Sequence, residues 1–260
     1  MTETKHSESI IVLCADGLDP NVASDYGLSM PYQTSLSIPR ELYFKGHPHT
    51  MNIWPSMFAG RIETYPGFRS DKDPILTRIR RGTRKTLRKF GIKWKRTGKS
   101  IEFTDEITYA WRVLNPEVED TIFDNFDSFP WNIPGISPGF LFGVSNEYAL
   151  YEYETLKKIC IATTTYYDLP LVAIYSTIID RYEHALLNTK LFYFEFFNLA
   201  KMISEISTKS VVLVSDHGCV DGEHTEEAYF GATFPISDSC KSVIDVRKEL
   251  ETRLNRPISR

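Results

Sequence analysis

Cysteine is scarce in this chain. Its four thiols, Cys14, Cys160, Cys219 and Cys240, are scattered through 260 residues with no paired spacing of the metal-knot type. They read as reduced thiols rather than as a disulfide framework, and Cys14 lies in an apolar run where a small buried side chain suits. Long apolar runs are missing too: no window approaches the roughly 20 apolar residues of a membrane span. The stretch from Met1 to Ser9 is polar and lacks the apolar segment of a secretory leader, so a soluble cytoplasmic protein is the expectation. No internal repeat or low-complexity tract is present. With 42% apolar residues the chain can bury the core of one large domain, or of a core carrying a small insert.

Net charge is small at −4, yet it is unevenly spread. Residues 69–99 hold 13 Lys or Arg against Asp71 and Asp73, a segment of +11, which leaves −15 for the rest. An acidic body suits carboxylate metal ligands, and a basic arm attracts polyanions. Residues 74–90 read as a cationic helix broken near Gly82. It is either a solvated face balancing the acidic body or a guide for nucleotide or nucleic acid. Aromatic residues there are limited to Phe90 and Trp94, so stacking on single strands is not signalled.

The apolar run Ile10–Ala15 has strand length and ends at Asp16-Gly17. A second, Val211–Val214, ends at Ser215-Asp216-His217-Gly218, and a third, Leu171–Ile179, closes on Asp180. Buried strands that finish on polar residues predict an α/β fold with an open, mostly parallel sheet, whose ligands bind beyond the carboxyl ends of the strands. Helical spacing is expected over Glu183–Ile206 and Val243–Leu254. Residues 17–48 read as an irregular approach to a site. The stretch Asn115–Gly139, with four prolines, excludes long regular elements, and the middle third reads as a cap over the sheet edge.

Six metal-ligand candidates fall at these strand ends: Asp16, Asp180, His184, Asp216, His217 and His224. Asp180 and His184 stand four apart, a spacing that brings them together if a helical turn begins there. Alone, an Asp-His pair is well explained by an exposed loop, but three clusters at three strand ends point to metal ligation. Asp and His donors suit Zn, Mn or Fe. Three carboxylates facing two divalent cations leave one positive charge, which an ionised hydroxyl would balance. Thr50 is the candidate nucleophile, just before a helix expected over Ile53–Ala59. Asn52 reads as its N-cap and Pro55 falls in its first turn, so the positive end would face a bound phosphate. His49, and His47 beside it, could hydrogen-bond a phosphate oxygen, and Asn52 could do the same instead of capping.

In this order the motifs resemble the alkaline phosphatase superfamily, nearest its nucleotide pyrophosphatase/phosphodiesterase branch and the short archaeal-type members. The resemblance rests on Asp16-Gly17, the segment Thr50-Met51-Asn52-Ile53-Trp54-Pro55-Ser56-Met57-Phe58-Ala59-Gly60, the Asp180 to His184 pair, and Ser215-Asp216-His217-Gly218 followed by His224. It covers both ends of the chain. It implies an alkaline-phosphatase-like three-layer α/β/α core spanning 1–260, with a small cap at 61–140. It also implies two divalent ions, zinc in the first place with Mn or Fe as alternatives: one held by Asp180, His184 and His224, the other by Asp16, Asp216 and His217. Thr50 would bridge toward the ions and form a phosphothreonine during hydrolysis of a phosphodiester or nucleotide pyrophosphate. Sulfatase-type members need a cysteine or serine convertible to formylglycine, which Thr50-Met51-Asn52 does not offer. Phosphoglycerate mutase-like members carry serine and a large inserted domain. A phosphomonoesterase, or a nucleic-acid-binding protein on the same scaffold, are the competing expectations.

Overall fold

The run Ile10–Ala15 contains no polar side chain and is buried along its whole length, so both faces of the strand it forms must be covered. In the computed structural model, which describes residues 8–64, 109–111, 118, 120–137, 139–141 and 146–255, this strand (β1) lies inside a six-stranded sheet. Its companions are β2 (Tyr32–Ser37), β3 (Ser128–Trp131), β4 (Leu171–Ser176), β5 (Ser210–Val214) and β6 (Glu227–Ala232). The order is β2-β6-β5-β1-β4-β3. β1 pairs in parallel with β4, Ile10 opposite Leu171, and with β5, Ile10 opposite Ser210; β3 is parallel to β4. Only β6 runs against its neighbours β5 and β2.

Because side chains alternate along a strand, β1 feeds two cores. Ile10, Val12 and Cys14 pack with Ile53, Trp54, Met57 and Phe58 of α2 (Thr50–Ala59) and with Val246, Leu250 and Leu254 of α6 (Val246–Leu254). Ile11, Leu13 and Ala15 pack with Leu156 and Cys160 of α3 (Asn146–Tyr166) and with Phe192, Phe196 and Ile203 of α5 (Lys190–Ile206). Two further short helices, α1 (Pro20–Asp25) and α4 (Ile178–His184), start beyond the ends of β1 and β4. The result is an α/β/α sandwich with a mostly parallel sheet.

Four local expectations change. The third apolar run stops being strand at Ser176 and continues as α4, so Asp180 lies in a first helical turn rather than at a strand end. The Ser176 hydroxyl accepts from the Ile178 N-H at 3.3 Å, and the Glu152 carboxylate accepts from Ser176 Oγ and the Thr177 N-H, which satisfies the turn. Glu183–Ile206 is two helices, α4 and α5, parted around Leu186, whose φ is +58°. Residues 17–48 contain α1 and the edge strand β2; apart from Leu36 the side chains of β2 are solvent-facing, so no apolar period marked it. Helix α2 begins at Thr50, three residues early. His49 is its N-cap, and Asn52 lies inside the first turn instead of capping it.

The outer strand β3 belongs to the sheet, although its residues fall in the stretch 61–140 assigned to a cap. Pro130 within it is tolerated at an edge. The basic segment 69–99 lies outside the described residues. Among those described, no helix is long and apolar enough to cross a membrane. The four cysteines are free and buried.

Candidate metal centre

Three chain ends meet beyond the carboxyl edge of the sheet. β1 delivers Asp16, β5 delivers Asp216 and His217, and α4 crosses above them with Asp180 and His184. Close packing forces glycine at the first junction. Gly17 has φ of +79°, and a Cβ there would stand 2.7 Å from the Asp180 Cα. An isolated bridge joins Gly17 to Gly218, and the Cys219 N-H donates to the Gly17 carbonyl at 2.9 Å. A two-stranded ribbon then places Cys219 opposite His224.

These joints bring all six ligand candidates and Thr50 into one chamber. At one end Asp180 Oδ1 lies 3.3 Å from His184 Nε2 and 3.4 Å from His224 Nε2, and the two nitrogens are 2.8 Å apart. At the other, His217 Nε2 lies 3.5 Å from Asp16 Oδ1, 3.3 Å from Asp216 Oδ2 and 3.1 Å from Thr50 Oγ1. A tetrahedral ion with ligand distances of about 2.0–2.2 Å separates neighbouring donor atoms by roughly 3.3–3.6 Å; the carboxylate–imidazole separations at both ends fall in that range, while the His184 and His224 nitrogens, 2.8 Å apart, would have to move apart to share an ion. Donor atoms of Asp180, His184, Cys219 and His224 all lie within 4.8 Å of one another, as do those of Asp16, Asp180 and His217. Asp180 therefore faces both ends, and Asp216 reaches the second through His217.

The donor chemistry fits cations as well. Asp16 Oδ1, Asp180 Oδ1 and both oxygens of Asp216 are buried without a hydrogen-bond partner. Leaving a carboxylate so desolvated is costly unless something positive approaches it. Burial, then Asp216 and Asp180, push the Asp16 carboxyl well above the usual range. Burial raises Asp216 to about 6, with the charge of Asp180 adding to it. Burial raises Asp180 too, but the facing imidazoles of His184 and His224 outweigh it and hold that carboxyl well below the usual range. Burial and then His224 depress His217, whereas His224 is raised because Asp180 overcomes its burial.

Supporting contacts orient the donors. His217 Nδ1 donates to the Gly218 carbonyl at 3.1 Å, and His224 Nδ1 to the Pro48 carbonyl at 2.8 Å, which leaves each Nε2 lone pair for the chamber. The Tyr175 hydroxyl donates to Asp16 Oδ2 at 2.5 Å. Arg181, next to Asp180, forms a buried ion pair with Glu152 of α3, which anchors α4 to the body. Neither Tyr175 nor Glu152 carries a sequence signal. Cys219 had one, its place inside Asp216-His217-Gly218-Cys219-Val220-Asp221-Gly222-Glu223-His224, but a cysteine without a partner did not read as a ligand.

Thr50 is half-buried at the first position of α2. His49 stacks edge-on against Phe44 and is lowered to about 4 by burial and by His224, so it stays neutral next to the site. Asn52 is fully buried, and its amide donates to the Leu42 carbonyl at 3.4 Å.

No protein-family model and no curated protein sequence matches the chain. Solved structures do. An alkaline phosphatase from the Antarctic bacterium TAB5 aligns over 96% of this chain and 98% of that one, with TM-score 0.51 and 11% identity. A mutant of the same enzyme with Mg bound in its M3 site aligns over the same shares with TM-score 0.52 and 11% identity. A protein from Pyrococcus horikoshii aligns over 98% of both chains at TM-score 0.44 and 10% identity. The chain thus has the alkaline-phosphatase-like fold.

Proposed function

We propose that the chain is a divalent-metal-dependent hydrolase of phosphate esters, acting on phosphodiesters or nucleotide pyrophosphates through a phosphothreonine at Thr50. The observation that carries this reading is the Thr50 hydroxyl, 3.1 Å from His217 Nε2 beside buried carboxylate oxygens that lack hydrogen-bond partners. Asp180, His184 and His224 would hold one ion, and Asp16, Asp216 and His217 the other. Such ions supply the positive charge that phosphoryl oxygens and an attacking hydroxyl require. Zinc suits the imidazole-rich donor set.

In this mechanism Thr50 Oγ forms a bond to phosphorus as the bond to the leaving oxygen breaks, and water then cleaves the phosphothreonine to regenerate the hydroxyl. The N-H groups of Thr50 and Met51, in the first turn of α2 where helical N-H groups lack intrahelical partners, are available to a phosphate oxygen. A diester is preferred over a monoester on the motif order, which with threonine at the nucleophile position resembles the nucleotide pyrophosphatase/phosphodiesterase branch. The +11 segment 69–99 serves as a guide for polyanionic substrates.

The test is hydrolysis of bis-p-nitrophenyl phosphate and p-nitrophenyl phosphate by chelator-stripped protein to which Zn or Mn is returned. The diester should turn over faster, and protein acid-quenched during its turnover should carry a p-nitrophenylphosphoryl group on the Thr50 peptide by mass spectrometry. Inactivity toward both esters in protein shown to hold two ions would sink the proposal, and turnover of the monoester alone would reassign it as a phosphomonoesterase.

A further inference from the structure

The Asp180–His184–His224 end of the chamber has a fourth donor that neither the motif pattern nor the charge arithmetic included. We infer that Cys219 completes this set as a thiolate ligand, making it a site of one sulfur, two nitrogens and one oxygen, selective for a borderline-soft ion such as zinc. The inference rests on the metal-dependent reading above and deepens it by fixing the character of one ion.

Several independent observations converge on Cys219. It is fully buried, yet its sulfur lies within 4.8 Å of the donor atoms of Asp180, His184 and His224. It pairs directly across the ribbon from His224, a relation that puts both side chains on one face. Its N-H is held by the Gly17 carbonyl, one residue from Asp16, and α4, which carries Asp180 and His184, packs on its strand. A sulfur bonded to zinc at about 2.3 Å is roughly 3.5 Å from nitrogen and oxygen donors in a tetrahedron, and the Cys219 sulfur stands within 4.8 Å of all three.

Two consequences follow. On coordination the Cys219 S–H proton passes to solvent as the metal–sulfur bond forms, so the thiolate and Asp180 together neutralise one divalent ion. With Asp16 and Asp216 neutralising the second, Thr50 need not be ionised before substrate arrives. Four protein ligands would also fill the coordination shell of the first ion, in the manner of structural sites, whereas an ion held by Asp16, Asp216 and His217 alone keeps a coordination position for phosphate beside Thr50. A thiolate further disfavours Mg and Mn, which prefer oxygen donors.

Cobalt(II) titration of the chelator-stripped full chain tests this by absorbance. The expected result is intense near-ultraviolet sulfur-to-cobalt charge-transfer absorption together with the visible bands of tetrahedral cobalt. Cys219→Ser should lose the charge-transfer band and bind that ion at least about tenfold more weakly, since even indirect supports of a metal site cost that much, whereas Cys240→Ser should keep it. Wild-type protein that binds cobalt with visible bands alone overturns the thiolate assignment and leaves the hydrolase reading standing. Wild-type protein that binds no cobalt overturns both. The wild-type spectrum decides even if the Cys219 variant fails to fold.

Discussion

The two ends of the chamber use related donors in opposite surroundings. At the carboxylate end the side chains of Asp16, Asp216 and His217 are at most 3% exposed, whereas at the histidine end Asp180, His184 and His224 are 15%, 32% and 18% exposed. The electrostatics divide the same way. Asp180 is held ionised by the two imidazoles it faces, while burial, and for Asp16 the charge of Asp216, pushes Asp16 and Asp216 toward the neutral form. One end therefore tolerates being without an ion. The other has no internal counter-charge among the described residues and depends on one.

The contrast can be broken first at Thr50, which touches the carboxylate end. Thr50→Ala should lower turnover of the diester by on the order of 10^4-fold or more, as loss of a nucleophile does elsewhere. Calorimetric titration should still find the histidine end binding its ion with unchanged affinity. A comparable loss of affinity at both ends would show that they are not separable.

The histidine end is held by a remote support, the Glu152–Arg181 ion pair, with side-chain exposures of 5% or less. Glu152→Ala strands a buried guanidinium, and urea denaturation should register a loss of about 3–5 kcal/mol. Ion affinity should fall at the histidine end, because α4 loses its anchor, while the carboxylate end changes less.

Proton linkage sharpens the comparison. The folded-state value of Asp216 is about 6 against an ordinary 3.8, so the folded metal-free protein holds this proton more tightly than the unfolded chain. The group's contribution is therefore favourable in acid and is lost as pH rises from 3.8 through about 6. Metal-free Asp216→Asn should be more stable than wild type at pH 7 by on the order of 2–3 kcal/mol, a difference that vanishes below pH 4. Saturating zinc should reverse the order, since the asparagine cannot neutralise the ion. A pH-independent difference between the two metal-free proteins would refute this account. The smallest effect is expected for Tyr175→Phe, which removes one donor from Asp16 and should cost about 1–2 kcal/mol, with weaker ion binding confined to the carboxylate end.

Much of this arrangement was legible in the residues alone, for a definite physical reason. Buried parallel strands are continuous apolar runs, so Ile10–Ala15 and Val211–Val214 stand out, and the first polar residues after them must lie at the sheet's functional edge. The same logic misplaced Asp180: Ile178 and Ile179 are as apolar as the strand before them, and only the Glu152 contacts, from a helix distant in sequence, show that the strand has ended. β2 leaves no apolar period in the sequence because only Leu36 of its six side chains is buried. Asn52 resembled a cap because local sequence cannot show that the Leu42 carbonyl claims its amide. Cys219 does not stand out as a ligand in the sequence because its neighbours in the chamber are one carboxylate and two imidazoles, none of them a second cysteine.

The bond from His224 Nδ1 to the Pro48 carbonyl ties two functions together. His224 belongs to the histidine end, while Pro48 lies two residues before the hydroxyl that serves the carboxylate end. An ion held by Nε2 would fix the ring, and through Nδ1 also the strand leading to Thr50. Filling the more accessible end would thus set the aim of the proposed nucleophile at the other, so that a half-loaded protein would already hold its hydroxyl in firing position.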